Sequence, residues 1–309
     1  MRRLVLVFAL VCVWWWWRHD DRSTSNHDAQ MQGAVLADGF AFRSGDHVHE
    51  LDFAGKRRAK HLVRDDRDFR VFGTRAGAAA AWLQSGKLQL FNLKRREVVD
   101  SFGKAATALC DGVATNEYRF AVGWVEKDDG VWFVHGPTRR STASIDVPVH
   151  IAATMQRPWC AIASAEDLIG LAWRERNWLR INWCSSTRCS PTPAAVKLPE
   201  TAEIIGLGCL RNACLLATRD GTATSLAYVT ESGAVKWRQD LTSSSSVLTI
   251  IGIADTAFAV ALPNTVVRID RKGARSELWA GEGHPAIAWS RGRLLIAHKG
   301  GETVIEVLR

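Results

Sequence analysis

The chain holds only two tyrosines, three methionines and eight prolines among 309 residues, and several chemical signatures are missing altogether. No G-x-S-x-G, H-E-x-x-H, phosphate-binding loop or calcium-loop motif occurs, so no familiar catalytic or nucleotide-binding centre is offered. No apolar face recurs every 3.6 residues for a dozen residues, which excludes a helical bundle or coiled coil. No uncharged apolar run reaches the roughly 18 residues of a typical membrane-spanning helix. A hydrophobic share of 47% and a charged share of 23% then describe an ordinary folded protein rather than a disordered one. The net charge of +8 leans toward anionic partners.

What is present begins with an address. Met1-Arg2-Arg3 precedes the fourteen uncharged residues Leu4 to Trp17, which end in four consecutive tryptophans. A positive start and a short apolar run form the pattern of an export signal. As a helix the run would span roughly 21 Å, short of the roughly 30 Å hydrocarbon core. No small-residue cleavage site follows, and indole rings settle at membrane interfaces. Residues 1–21 are therefore expected to be a signal peptide or an N-terminal membrane anchor, with the body exported to a periplasmic or extracellular compartment.

Six cysteines lie beyond Cys12, an even number that reads as disulfides in an exported chain. A two-residue turn at Arg211-Asn212 would set Cys209 opposite Cys214. Cys184-Ser-Ser-Thr-Arg-Cys189 has the same spacing, leaving Cys110 and Cys160 by elimination. Zinc is disfavoured, because its usual Cys-x2-Cys pairs and nearby histidines are absent. No metal and no cofactor are expected.

From residue 33 onward, short apolar runs alternate with Gly, Asn, Asp and Ser turns, the pattern of an all-β protein. A strand ending in a polar residue and a turn recurs as Val48-His-Glu-Leu-Asp52-Phe-Ala-Gly55, Leu226 to Gly233 and Val266 to Gly273. Leu88 to Arg95 fits with Arg in place of Gly. Such turns fall near 55, 95, 136, 186, 233 and 273, a spacing of forty to fifty residues. Four strands per period make a β-propeller blade. Seven four-stranded blades fit best, at roughly 33–66, 67–104, 105–147, 148–200, 201–243, 244–283 and 284–309; six or eight stay open. The last carries three strands, so residues 22–32 are expected as a linker and ring-closing strand, and 33–309 as one propeller domain.

Ala227-Tyr-Val-Thr-Glu-Ser-Gly233-Ala-Val-Lys-Trp237-Arg-Gln-Asp-Leu241 resembles the repeat of pyrroloquinoline-quinone-type propellers, which places a Trp four residues past a Gly turn. Across 33–309 the layout resembles the WD40 and quinoprotein-like propeller superfamily. The Trp-Asp dipeptide of WD40 repeats and any recognisable quinone or calcium site are missing, so the resemblance implies a fold rather than an activity.

Two surface features carry functional expectations. Lys56, Arg57 and Arg58, then Lys94, Arg95 and Arg96, then Arg139 and Arg140 fall in matching turns of three successive blades, forming a rim for an anionic lipid surface. Six of the ten tryptophans beyond the leader lie between 124 and 183. Most are expected to fill the wedges between blades, while Trp178 and Trp183, beside Arg174, Arg176 and Arg180, are candidates for an aromatic recognition surface. Histidines 47 and 49 share a strand face and are expected on a solvated edge. The Asp65-Asp66-Arg67-Asp68 run reads as a solvated loop. The resulting expectation is an exported, membrane-tethered, non-enzymatic propeller that binds a protein or an envelope component; nucleic acid is not expected. The alternative is a propeller enzyme, of glycan lyase, hydrolase or oxidoreductase type, with carboxylates or histidines converging on the central channel.

Overall fold

The computed structural model describes residues 32–63, 68–116, 119–128, 130–137, 148–152, 159–165, 168–185, 189–241, 247 and 249–307. These form a seven-bladed β-propeller of antiparallel sheets, with no helix among the described residues. Blade one is β1 (Gly33–Leu36), β2 (Gly39–Ser44), β3 (His47–Asp52) and β4 (Arg57–Leu62). Blade two is β5 (Phe69–Thr74), β6 (Gly77–Gln84), β7 (Lys87–Asn92) and β8 (Glu97–Phe102). In blade three, β9 (Ala106–Leu109) and β10 (Ala114–Thr115) share the inner position before β11 (Arg119–Glu126), β12 (Gly130–Pro137) and β13 (Val149–Ala152). Blade four is β14 (Cys160–Ala165), β15 (Leu168–Glu175), β16 (Trp178–Cys184) and β17 (Ala194–Lys197). Blade five is β18 (Glu203–Leu210), β19 (Ala213–Asp220), β20 (Ala223–Thr230) and β21 (Val235–Leu241). Blade six is β22 (Thr249–Ile253), β23 (Ala257–Leu262), β24 (Thr265–Asp270) and β25 (Arg275–Ala280). Blade seven contributes β26 (Ala286–Ser290), β27 (Arg293–His298) and β28 (Gly301–Glu306) among the described residues.

The boundary between blades three and four differs from the one read from the repeat. The surplus strand of 148–200 is β13, which pairs β12 and so is the outer strand of blade three. It begins at Val149, past the edge expected at 147. The segment 22–31, expected as the ring-closing strand, lies outside the described residues, as does the leader. Gln32 is described: its carbonyl accepts from Arg43 N at 2.8 Å and its Oε1 from Val71 N at 2.9 Å. Among the described residues no helix is long and apolar enough to cross a membrane.

The core is divided rather than central. Seven apolar clusters each fill one seam between neighbouring blades, as when Val71 and Ala80 of blade two meet Val48 of blade one. Inner strands are buried on both faces and hence read as apolar runs, whereas outer strands such as Val-Lys-Trp-Arg-Gln-Asp-Leu in β21 alternate with solvent. The repeated turn joins the third strand to the fourth. Asp52 Oδ1 accepts from Ala54 N and Lys56 N, both at 2.9 Å, and Asp270 Oδ1 accepts from Lys272 N and Ala274 N at 2.8 and 2.9 Å. Those hydrogen bonds hold both carboxyls below the ordinary Asp range. Gly55, Gly233 and Gly273 take φ of 85°, 83° and 89° in these turns; in blade two the left-handed residue is Arg96 at 58°, one place beyond Arg95. In blades one, two, three, five and six, the pairing of the two outer strands carries a register shift.

The six body cysteines pair as Cys110–Cys160, Cys184–Cys189 and Cys209–Cys214. Cys209 and Cys214 sit directly opposite in a hairpin. Their bridge packs on blade four at Gly170, where an added Cβ would lie 2.5 Å from Cys209 Sγ. Because a bridged sulfur cannot swing away, Gly170→Ala is expected to cost about 2 kcal/mol by overpacking. Urea unfolding checks this, and a variant within about 0.5 kcal/mol of the parent would contradict it.

Candidate functional site

Blade three interrupts its own inner strand. Leu109 pairs Trp124 and Ala114 pairs Ala121, so four residues, Cys110 to Val113, oppose only Val122 and Gly123. The excess chain leaves the sheet on its axial edge and pairs with the next blade. Asp111 N donates to Cys160 O at 2.7 Å and Ile162 N to Asp111 O at 2.9 Å, a parallel bridge onto β14. Gly112 takes φ +70°, and any Cβ there would lie 2.8 Å from Ile162 O. The Cys110–Cys160 disulfide, with Cα atoms 4.7 Å apart, locks this crossing.

Charge gathers around the same point. Arg70, 8% exposed on the inner strand of blade two, donates through Nε to Cys110 O at 3.3 Å. Its Nη1 lies 2.5 Å from Asp68 Oδ1 and its Nη2 3.6 Å from Asp111 Oδ1. Arg43 reaches Asp68 at 3.7 Å, donates to Phe69 O at 2.8 Å and stacks on the Phe69 ring. Burial lowers the Arg43 pKa against the opposing pull of Asp68. Trp159 Nε1 donates to Asp111 Oδ2 at 2.8 Å. The Asp111 carboxyl touches solvent, yet surrounding protein raises its pKa, with Arg70 and the Trp159 hydrogen bond opposing. Asp68 is exposed, as expected of a solvated loop, and also joins this ion network; Asp65 to Arg67 lie outside the described residues. Nearby, Thr115 Oγ1 accepts from Val35 N of blade one at 3.2 Å and its carbonyl accepts from Ser164 Oγ of blade four at 2.6 Å. One residue of blade three thus ties blades one and four across the axis.

Three of the rim cations have carboxylate partners. Arg57 pairs with Glu302 of blade seven, Arg58 with Asp38 of the β1–β2 turn, and Arg95 with Glu97 at 3.5 Å. Lys56, Lys94 and Arg96 are exposed, and Val98 and Val99 beside them are 49% and 52% exposed. Arg139 and Arg140 lie outside the described residues. The two tryptophan candidates are separated: Trp178 is 38% exposed at the start of β16, while Trp183 is buried and donates to Leu210 O of blade five at 3.1 Å. Arg174 is buried, donating to the carbonyls of Arg176, Pro199, Glu200 and Ala202, and Arg180 Nε binds Glu175 Oε2 at 2.8 Å. His49 is 7% exposed, not on a solvated edge. No group of three or more metal-ligating side chains occurs among the described residues. Reading the sequence alone passed over Arg70 and Asp111; a lone Arg within Phe-Arg-Val-Phe of β5 and an Asp-Gly beside a cysteine were the available signals.

No family model and no curated protein matches the chain. Solved structures do. The N-terminal domain of BBS1 in complex with ARL6 is 13% identical, covers 91% of each chain and has a TM-score of 0.57. The β-propeller domain of Cps50 (Swd1) from Myceliophteria thermophila is 14% identical over 90% of this chain and 96% of that one, at 0.57. KlAtg21, in complex with the coiled coil of AgAtg16, is 12% identical over 90% and 94%, at 0.56. At 12–14% identity these likenesses are of fold alone, that of a β-propeller.

Proposed function

We propose that this chain is an exported, disulfide-stapled propeller that serves as a binding scaffold, tethered to a membrane through residues 4–17, with a protein or cell-envelope component as partner. The observation that carries the reading is a contrast between axis and rim. At the axis, Asp68 and Asp111 are both held by Arg70, and Thr115 crosses between blades, so the carboxylates an enzyme site would need are engaged in structure. At the rim of blade two, Lys94 and Arg96 stand exposed next to two half-exposed valines. Mixed apolar and cationic surface of this kind suits a partner with acidic and apolar groups. The three disulfides support an oxidising compartment. Two of the similar propellers, BBS1 with ARL6 and Atg21 with Atg16, were solved in complex with proteins.

A photo-crosslinker at Val99, in the full chain in its native cells, is expected to give one discrete adduct, with Ser276 on β25 as a silent control. Arg95→Glu combined with Arg96→Glu should abolish that adduct and, if the rim also meets anionic lipid, vesicle binding. Equal labelling from both positions would remove the docking surface, and six free thiols in the isolated protein would remove the exported compartment.

A further inference from the structure

Among the described residues, side-chain contacts hold the seam between blades seven and one. Phe40, Phe42 and Leu51 meet Ala288 and Leu295 in its apolar wedge. Arg57 pairs with Glu302, Arg293 Nη1 donates to Phe53 O at 2.9 Å, and Arg291 lies over the Phe53 ring. His49 is set into this seam. Its ring stacks on Phe42 at 4.8 Å and 13°, and its buried Nδ1 has no hydrogen-bond partner.

A proton on His49 would have nowhere favourable to go. The charged and titratable groups that face it are Arg57 and Lys60 of β4, His47 of β3, and Glu302 of β28. Three of these are or can become cationic, and the one carboxylate is already committed to Arg57. The opposite face of the same strand is built differently: Glu50 Oε1 accepts from Ala78 N of blade two at 3.1 Å and meets His61 Nε2 at 3.0 Å. Blade one thus places an imidazole with an acceptor in one seam and an imidazole without one in the other. Burial first, then Arg57 and Lys60, hold the His49 pKa below 6.5.

We propose that the junction of blades seven and one is an acid-labile gate, released when His49 takes up a proton. The closed seam favours neutral His49, while the opened seam gives the ring back to water. Closure is therefore at full strength above pH 6.5 and weakens as pH falls below it toward the lowered pKa.

Hydrogen exchange on the full chain tests this, with rates at pH 7.5 and pH 5.0 corrected for intrinsic exchange. Acidification is expected to raise opening at β3 and β28, by no more than about thirtyfold, the ceiling for an imidazole titrating at 6.5 when exposed. Strands β18 and β19 should keep their protection. His49→Phe, which keeps the stack without a titrating group, should abolish the response, and His49→Gln serves if that variant does not fold. An unchanged acid response in the neutral variant, or equal loss in β18 and β19, would overturn the proposal.

Discussion

Replacing Cys110 and Cys160 together by alanine is expected to cost about 4 kcal/mol, twice the loss for either of the other pairs. The bridge closes a loop with a sequence separation of 50, against 5 for Cys184–Cys189 and Cys209–Cys214. Loop-closure entropy in the unfolded chain gives about 4 kcal/mol for the long loop and about 2 kcal/mol for the short ones. The long bridge also stands where blade three leaves its sheet to pair with β14, so its loss frees the Asp111 crossing. Urea unfolding of the three double variants measures the order. Equal losses for all three would show that native-state packing, rather than loop length, sets the effect.

Trp124→Ala should be as damaging, at about 4 kcal/mol, for a different reason. Trp124 is 1% exposed, lies at ring-centroid distances of 6.4 Å from both Phe102 and Trp132, and fills the seam between blades two and three. Its Nε1 donates to Glu126 Oε1 at 3.1 Å, and Lys104 N donates to the same oxygen. Trp124→Phe keeps much of the apolar volume and removes the indole donor, which should cost about 2 kcal/mol by leaving a buried carboxylate short of one hydrogen bond. Far-UV circular dichroism is the suitable probe, since nine other body tryptophans obscure fluorescence. A Phe variant as unstable as the Ala variant would assign the whole effect to the hydrogen bond.

The sequence carried the architecture because each blade repeats one local device. Asp52, Asn92, Thr230 and Asp270 end third strands and organise the turns that follow, so the period could be read from turn chemistry. It failed where the repeat is broken: blade three divides its inner strand into β9 and β10, and its outer strand β13 was assigned to the next blade. Cysteine pairings were legible because two are local hairpin contacts. Charge was not, because its partners come from elsewhere in the ring. Arg57 and Glu302 are 245 positions apart, and nothing near Arg57 announces that it will be neutralised. Trp183 and Trp178 looked like one surface, yet five positions along a strand place them on opposite faces. His49 looked solvated because a single imidazole does not reveal which seam covers it.

The register shifts in the outer strand pairs have a consequence for how the molecule behaves in a crowd. A flat, regular outer edge would be a template on which another chain could add a strand, seeding association around the ring's perimeter. A shifted pairing twists that edge and leaves its amides out of step with any straight newcomer. Blades one, two, three, five and six all carry one, so those five edges are poorly suited to strand addition. A partner that meets those five blades at the perimeter would do so through side chains and turns rather than by adding a strand.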